Sequence, residues 1–297
     1  MFKNILISTR FGNLLIVAFG QYLMLNLLGY SNYPGMFLLI LSTCSIAFGG
    51  YVINDLFDQQ IDDVNRPGRN LFRQGLFKKY GISIYFLVNL VGIGAMTFFN
   101  SKMVLFNVAC VALLYAYSSL LKKRAVAGNL LVAIMQSAVF LIIYLAVDHE
   151  LNRPALLTGF ELNREFLDFL NLMILFSLVT GWIREWVKDI EDKDGDEQNG
   201  LKTAAIIWPL KTNKALIALL CALLIAGVGV FTLFLHLNYW SGFKDVLNYY
   251  YLFLMFPISI RALLMLIKAD SKEDWSKLSQ WLKIIMLAGI LSIGIAT

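Results

Sequence analysis

The chain has little of what a water-soluble or soft-metal protein needs. Only 15% of its 297 residues are charged, against 59% hydrophobic, and uncharged runs approach about twenty residues. That balance excludes a globular domain in water and points to an all-α, polytopic membrane protein whose surface faces lipid. Three cysteines, Cys44, Cys110 and Cys221, each sit inside an apolar run with no CxxC pair. Neither a disulfide framework nor a zinc site is supported, and the three read as small packing residues. The two histidines, His149 and His236, fall on the outer side of the spans assigned below, away from every acidic cluster. No cleavable signal is visible: the apolar run after MFKNILISTR is of full length and lacks a small-residue cleavage site, so the first helix is expected to stay. Linkers and low-complexity segments are also missing, and one domain over 1–297 is expected.

What is present is a series of apolar runs. Spans are expected at about 11–29, 36–54, 80–99, 103–121, 125–147, 167–184, 215–236, 246–262 and 280–296, a bundle of nine transmembrane helices. Lys and Arg orient them, because cytoplasmic loops collect these residues. Counting those at span edges, the N-terminus and the loops after even-numbered spans carry 21 of the 25, and the other side carries four. The N-terminus is therefore expected inside and the C-terminus outside, in a cell (inner) membrane. The net charge of +5 is mostly this topology signal, so nucleic acid is not a partner. Lys78, Lys79, Arg124, Lys272 and Lys277 are read as ordinary solvated loop charges of this kind.

The few acids are not spread evenly. Residues 55–63 hold four Asp and 185–197 hold seven Asp and Glu, more than half of the chain's 20 acids in two short stretches. Asp55, Asp58 and Asp62 form DxxDxxxD, and Asp189, Asp192 and Asp196 repeat the spacing 134 residues later. Even the trailing Asn recurs, as Asn65 and Asn199. On a helix of 3.6 residues per turn, steps of three and seven turn all three carboxylates of a set to one side. The offset suggests an internal duplication, although the flanking apolar sequence shows no clear repeat. Each set follows an even-numbered span, so both are expected at the cytoplasmic face.

Clustered carboxylates supply the oxygen ligands that Mg²⁺ takes, and Mg²⁺ keeps positions open for substrate phosphate oxygens. Arg66 and Arg69 follow the first set, Lys122 and Lys123 follow the fourth span, and Arg184 and Lys188 precede the second set. Such cations neutralise charge growing on a departing diphosphate. Removing a carboxylate from such a crowded set is expected to leave stability unchanged or slightly higher while catalysis falls. Tyr117 can line a cation-friendly apolar pocket or serve as an interfacial belt residue, whereas Tyr115 reads as belt. Asn13, Gln21 and Asn26 are polar groups inside the first span, which ordinarily bond another helix, and Asn13 alone lies at the cytoplasmic end.

These residues resemble the UbiA-type intramembrane prenyltransferases, over nearly the whole chain. Asn54, Asp55, Asp58 and Asp62 run on through Asn65, Arg66, Pro67 and Arg69 like the family's NDxxDxxxD and NRPxR. Asp192 and Asp196, extended by Asp189 and followed by Gly200 and Thr203, are similar to its second acidic element and GxxT. Tyr117, Ser118 and Lys122 resemble its YSxxLK. Asn70 stands where many members have proline, LFRQG replaces the commoner LPSG, and WPLKTNK lacks a glycine found in many relatives.

The resemblance implies a polyprenyl diphosphate held across two Mg²⁺ ions, its tail in an apolar groove open to the bilayer. The C1–oxygen bond then ionises to an allylic cation, which an acceptor attacks. In that picture Asp55, Asp58, Asp62, Asp189, Asp192 and Asp196 hold the metals and are catalytic. Asn54, Arg66, Lys122, Lys188, Tyr117 and Asn13 bind substrate, with Asn54 orienting the first carboxylates. The run REWVKDIEDKDGD, Arg184–Asp196, is similar to the digeranylgeranylglyceryl phosphate synthase-like branch, which implies geranylgeranyl transfer to a glycerol phosphate ether lipid. Aromatic acceptors of quinone biosynthesis (4-hydroxybenzoate, dihydroxynaphthoate or homogentisate) are the alternative. A cation-coupled transporter is a further one, although its ionisable groups belong near the bilayer midplane rather than at span ends.

Overall fold

The computed structural model describes residues 10–29, 35–59, 75–151, 167–238 and 243–296. Among them the chain forms helices joined by short turns, with one isolated bridge between Arg124 and Lys202. The long helices are α1 (Phe11–Leu27), α2 (Gly35–Phe57), α3 (Gly75–Ala95), α4 (Ser101–Ser119), α5 (Ala127–Leu151) and α6 (Leu167–Glu191). Two short helices follow, α7 (Lys193–Gln198) and α8 (Ala204–Ile207), and then α9 (Leu210–Asn238), α10 (Phe243–Tyr250), α11 (Phe256–Lys268) and α12 (Lys272–Ala296). Eight helical stretches among the described residues have the length and hydropathy to cross a membrane, α10 and α11 counting as one. The ninth expected span is α1, whose 17 residues reach about 26 Å, slightly short of a hydrocarbon core.

One expected span is not a simple α-helix. Between α10 and α11 the turn Tyr251–Met255 is a π-helix, and Pro257 follows at the start of α11. Proline has no N–H to give and its ring crowds the carbonyl four residues earlier, so a widened turn just before it relieves the conflict. The sixth span also differs in length: it was expected to stop at 184 and α6 runs to Glu191. Arg184, Glu185 and Lys188 are carried on this extra length and pair with one another, Arg184 Nη1 with Glu185 Oε1 at 2.7 Å and Lys188 Nζ with Glu185 Oε2 at 3.6 Å; the second pair, one turn apart, adds helix support.

The helices gather into two compact units, one of residues 1–122 and 138–167 and the other of residues 123–137 and 168–297. In the first, α2 is central and packs on α1, α3 and α4. Its seams carry polar ties: Asn107 Nδ2 donates to Ser42 Oγ at 2.6 Å, and Ser42 Oγ donates to the Gly92 carbonyl at 2.6 Å. Gln21 Nε2 donates to Thr43 Oγ1 at 3.0 Å and to the Val139 carbonyl at 2.6 Å, the interhelical bonding expected of a polar residue in that span. In the second unit α11 packs on α9 and α12. Tyr251, 1% exposed, shares a hydrogen bond of 2.9 Å with Ser292 and meets Phe231 edge to face.

Large apolar side chains line the outside of both units. Phe86 is 66% and Leu105 69% exposed in the first, and Val230 67% and Phe253 70% in the second. Continuous apolar surface of this kind is costly in water and free in hydrocarbon, which is the solvent these faces match.

Candidate active site

The first acidic set begins in the last turn of α2. Asn54 and Asp55 are helical, and Asp58 stands one residue beyond the helix with its N–H still bonded to the Asn54 carbonyl at 2.9 Å. The step from Asp55 to Asp58 therefore keeps the expected helical geometry. Asp62, with Asn65, Arg66, Pro67 and Arg69, lies outside the described residues.

Both described carboxylates are buried, Asp55 at 6% and Asp58 at 4% exposure, and both meet cations. Arg10 Nη2 donates to Asp55 Oδ1 at 3.1 Å, and its guanidinium lies 4.8 Å from the Tyr51 ring centre. Lys122, in the single turn after α4, pairs with Asp58 Oδ2. Asn54 Nδ2 donates to the same oxygen at 2.6 Å. The charge crowding expected from sequence is thus offset here by Arg10 and Lys122. Replacing Asp58 strands a cation whose side chain is only 22% exposed, and stability is set to fall rather than hold.

Tyr117 is half-buried on α4, and Tyr115 is exposed with its ring edge-on to Phe57 at 5.9 Å, in keeping with a belt residue. Asn13 sits in the first turn of α1 with its backbone N–H on the Arg10 carbonyl at 2.8 Å. Its side chain makes no hydrogen bond among the described residues.

The second set is not carried by one uninterrupted helix. Asp189 lies in the last turn of α6, Asp192 is the junction, at φ −95° and ψ 6°, and Asp196 lies in α7. The single-face expectation needs that correction, and the physical reason is local. Asp192 takes up the bridge conformation, and the chain resumes its helical bonding only through Gly195 and Asp196 N–H on the Asp192 carbonyl, both at 3.1 Å. Asp189 nevertheless remains within electrostatic reach of Asp196, and of Glu185 and Lys188 as well.

α7 stops where glycine allows it. Gly200 adopts φ +69°, its N–H bonding the Glu197 carbonyl at 3.0 Å while Leu201 N–H bonds the Asp196 carbonyl at 3.0 Å. This double closure satisfies the last carbonyls and turns the chain into α8. Asn213 anchors the return: it accepts from Trp186 Nε1 at 2.8 Å and donates to the Ala204 carbonyl at 3.2 Å. Asp189 itself is held by Asn129, near the start of α5, whose Nδ2 donates to Asp189 Oδ2 at 2.8 Å.

Arg10, Asn129 and Glu185 were not singled out from sequence. Arg10 counted only toward topology, and Asn129 belongs to no spacing pattern. Glu185 was legible in principle, since it precedes Lys188 by three residues, a spacing that pairs across one helical turn. Among the described residues no three acidic, His or Cys side chains gather closely enough to hold a metal ion together. The donor chemistry still fits Mg²⁺, because each set offers carboxylate oxygens with no sulfur or imidazole beside them.

Buried carboxylates at helix ends, with Lys and Arg beside them in a lipid-facing helical bundle, define a membrane-embedded protein with a charged cluster at the ends of its spans. Residues 13–287 match the UbiA prenyltransferase family, and the chain belongs to it. It is accordingly a prenyltransferase and an integral multi-pass membrane protein. Digeranylgeranylglyceryl phosphate synthase of Sulfurisphaera tokodaii is 30% identical over 252 residues, covering 85% of this chain and 82% of that one. The synthase of the same name from Methanococcus maripaludis is 29% identical over 283 residues, 93% of this chain and 91% of its own. Among solved structures, a digeranylgeranylglyceryl phosphate synthase superposes with a TM-score of 0.70 at 24% identity, covering 98% and 96% of the two chains. A UbiA homolog from Archaeoglobus fulgidus bound to GPP and Mg²⁺ gives 0.59 at 13% identity, with 98% and 99% covered. Both share the fold.

Proposed function

We propose that the chain, acting as one domain over 1–297, transfers a geranylgeranyl group from geranylgeranyl diphosphate to geranylgeranylglyceryl phosphate. The observation that carries the chemistry is the pair of oxygen-only acidic sets at helix ends, each with Lys or Arg within reach. The acceptor rests on the relatives, which bear the synthase name over most of their length. Asp55, Asp58, Asp62, Asp189, Asp192 and Asp196 hold Mg²⁺, which when bound neutralises diphosphate and weakens its bond to C1. Asn54 fixes the Asp58 carboxylate, and Asn129 does the same for Asp189. Lys122, Lys188 and Arg66 take up charge on the departing diphosphate. The apolar faces of the spans keep water from the allylic carbon, and Tyr117 stands near the polar end to favour positive charge there. Lipid substrates enter sideways from the bilayer.

The acidic sets face the cytoplasm of the cell (inner) membrane in this reading, supported by the uneven distribution of Lys and Arg. A reporter fused after Thr297 is expected outside and one near Gly75 inside; the same side for both would remove the nine-span topology. The activity is tested by incubating the purified protein in detergent with geranylgeranyl diphosphate, Mg²⁺ and a panel of acceptors, and weighing the products by mass spectrometry. Product with geranylgeranylglyceryl phosphate alone is expected. Prenylated 4-hydroxybenzoate or dihydroxynaphthoate instead would move the acceptor to the aromatic class, and no diphosphate release with any of them would favour transport.

A further inference from the structure

We propose that Gln136 recognises the acceptor, donating a hydrogen bond to an uncharged oxygen of its glycerol ether moiety; this rests on the acceptor class argued above. Gln136 lies on α5 seven residues after Asn129, on the same face and about 10 Å further into the span. Opposite it is Gly181 of α6, eight residues before Asp189: a Cβ at Gly181 would fall 2.7 Å from Gln136 Oε1. The antiparallel seam thus runs from Asn129 against Asp189 to Gln136 against Gly181. Side chains lean toward the N-terminus of their own helix. Gln136 therefore leans up toward the acidic end while Asp189 leans down toward Gly181, and the two polar ends converge along one line. Glu185 sits between them in sequence register, and Asp189, Glu185 and Gln136 are all half-buried. Of these Gln136 alone lies well inside a span, and a polar side chain that keeps some exposure there belongs toward the bundle interior and not against lipid tails.

The partner Gln136 has is weak. Among the described residues its Nε2 reaches only the Met286 sulfur, at 3.8 Å, and a thioether is a poor acceptor. Gln21, in the other unit, shows the same amide serving packing: it is fully buried, and its nitrogen is bonded to a hydroxyl and a carbonyl. The contrast leaves Gln136 with donor capacity directed at something other than protein. Of the two substrates, the prenyl donor is pure hydrocarbon beyond its diphosphate and offers such an amide nothing. The acceptor carries an ether oxygen next to the hydroxyl that attacks, and that oxygen can accept from the amide.

The test measures KM for each substrate separately, with the full-length protein in detergent. Gln136→Ala, with Gln136→Leu as the volume-keeping second variant, should raise KM for geranylgeranylglyceryl phosphate about five- to tenfold, the scale of one neutral hydrogen bond. KM for geranylgeranyl diphosphate and the melting temperature should stay within about twofold and a degree or two of the parent. Gly181→Ala forces the amide aside and should raise the same KM, whereas Q136A/G181A should be no worse than Q136A alone. Unchanged acceptor KM in both Gln136 variants, or both substrates' KM rising together with a lower melting temperature, overturns the assignment. Absence of wild-type turnover with this acceptor instead overturns the acceptor class, and so is told apart from failure at Gln136.

Discussion

The two acidic helix ends share a spacing but not an environment. At the end of α2, Asp55 and Asp58 are buried against Arg10 and Lys122, so opposite charge already meets each described carboxylate. At the end of α6, Asp189 accepts its hydrogen bond from a neutral amide, Asn129, and lies in the field of two more carboxylates, Asp196 and Glu185, alongside Lys188. The same residue pattern therefore does different physical work. The first end is built around ion pairs whose members depend on each other for burial, and the second concentrates negative charge beside an amide. Sequence repetition tells that a device recurs and leaves open how its charge is balanced.

The widest-reaching way to probe this comparison is to withdraw the divalent cation. Excess EDTA should abolish turnover of geranylgeranyl diphosphate and Mg²⁺ should restore it, since no imidazole or thiolate stands in either set. Full turnover in EDTA would remove the metal reading for both ends. Next in size are Asp58→Asn and Asp192→Asn, each expected to lower turnover by about a hundredfold or more while membrane insertion survives. A variant with a near-normal rate would show which end is dispensable.

Stability separates the ends more sharply than activity. Asp58→Asn should cost about 1–3 kcal/mol, because it leaves the partly buried Lys122 without its carboxylate. Asp189→Asn should hold or raise the melting temperature, since it removes one of several neighbouring negative charges and keeps an oxygen for Asn129. Equal losses at the two positions in thermal melts would erase the contrast. The smallest effect is expected for Asn129→Leu, which frees the Asp189 carboxylate to rotate: the Mg²⁺ concentration for half-maximal rate should rise about tenfold. An unchanged requirement would mean that Asn129 only packs.

Much of this was readable before any coordinates, for a physical reason. In hydrocarbon every backbone group must bond within its own segment, so apolar runs translate almost directly into helices. The spacing of Asp55 and Asp58 survived because α2 carries its helical bonding through to Asp58. The second set did not stay on one helix, since the break at Asp192 depends on backbone angles that no spacing rule encodes. The π-turn before Pro257 had a visible cause, yet proline alone does not say whether a helix kinks, widens or stops. Arg10 and Asn129 were hidden because their roles exist only through partners 45 and 60 residues away.

The central claim is that the two acidic sets serve a single reaction, and a double-mutant cycle on diphosphate release tests it most directly. Wild type, Asp58→Asn, Asp192→Asn and the double variant would be compared for diphosphate released from geranylgeranyl diphosphate in the presence of acceptor. If the sets act as a unit, the double variant should be little slower than the slower single one, because residues that work together are strongly non-additive. Losses that multiply cleanly would contradict that claim and leave the 134-residue repetition as ancestry alone.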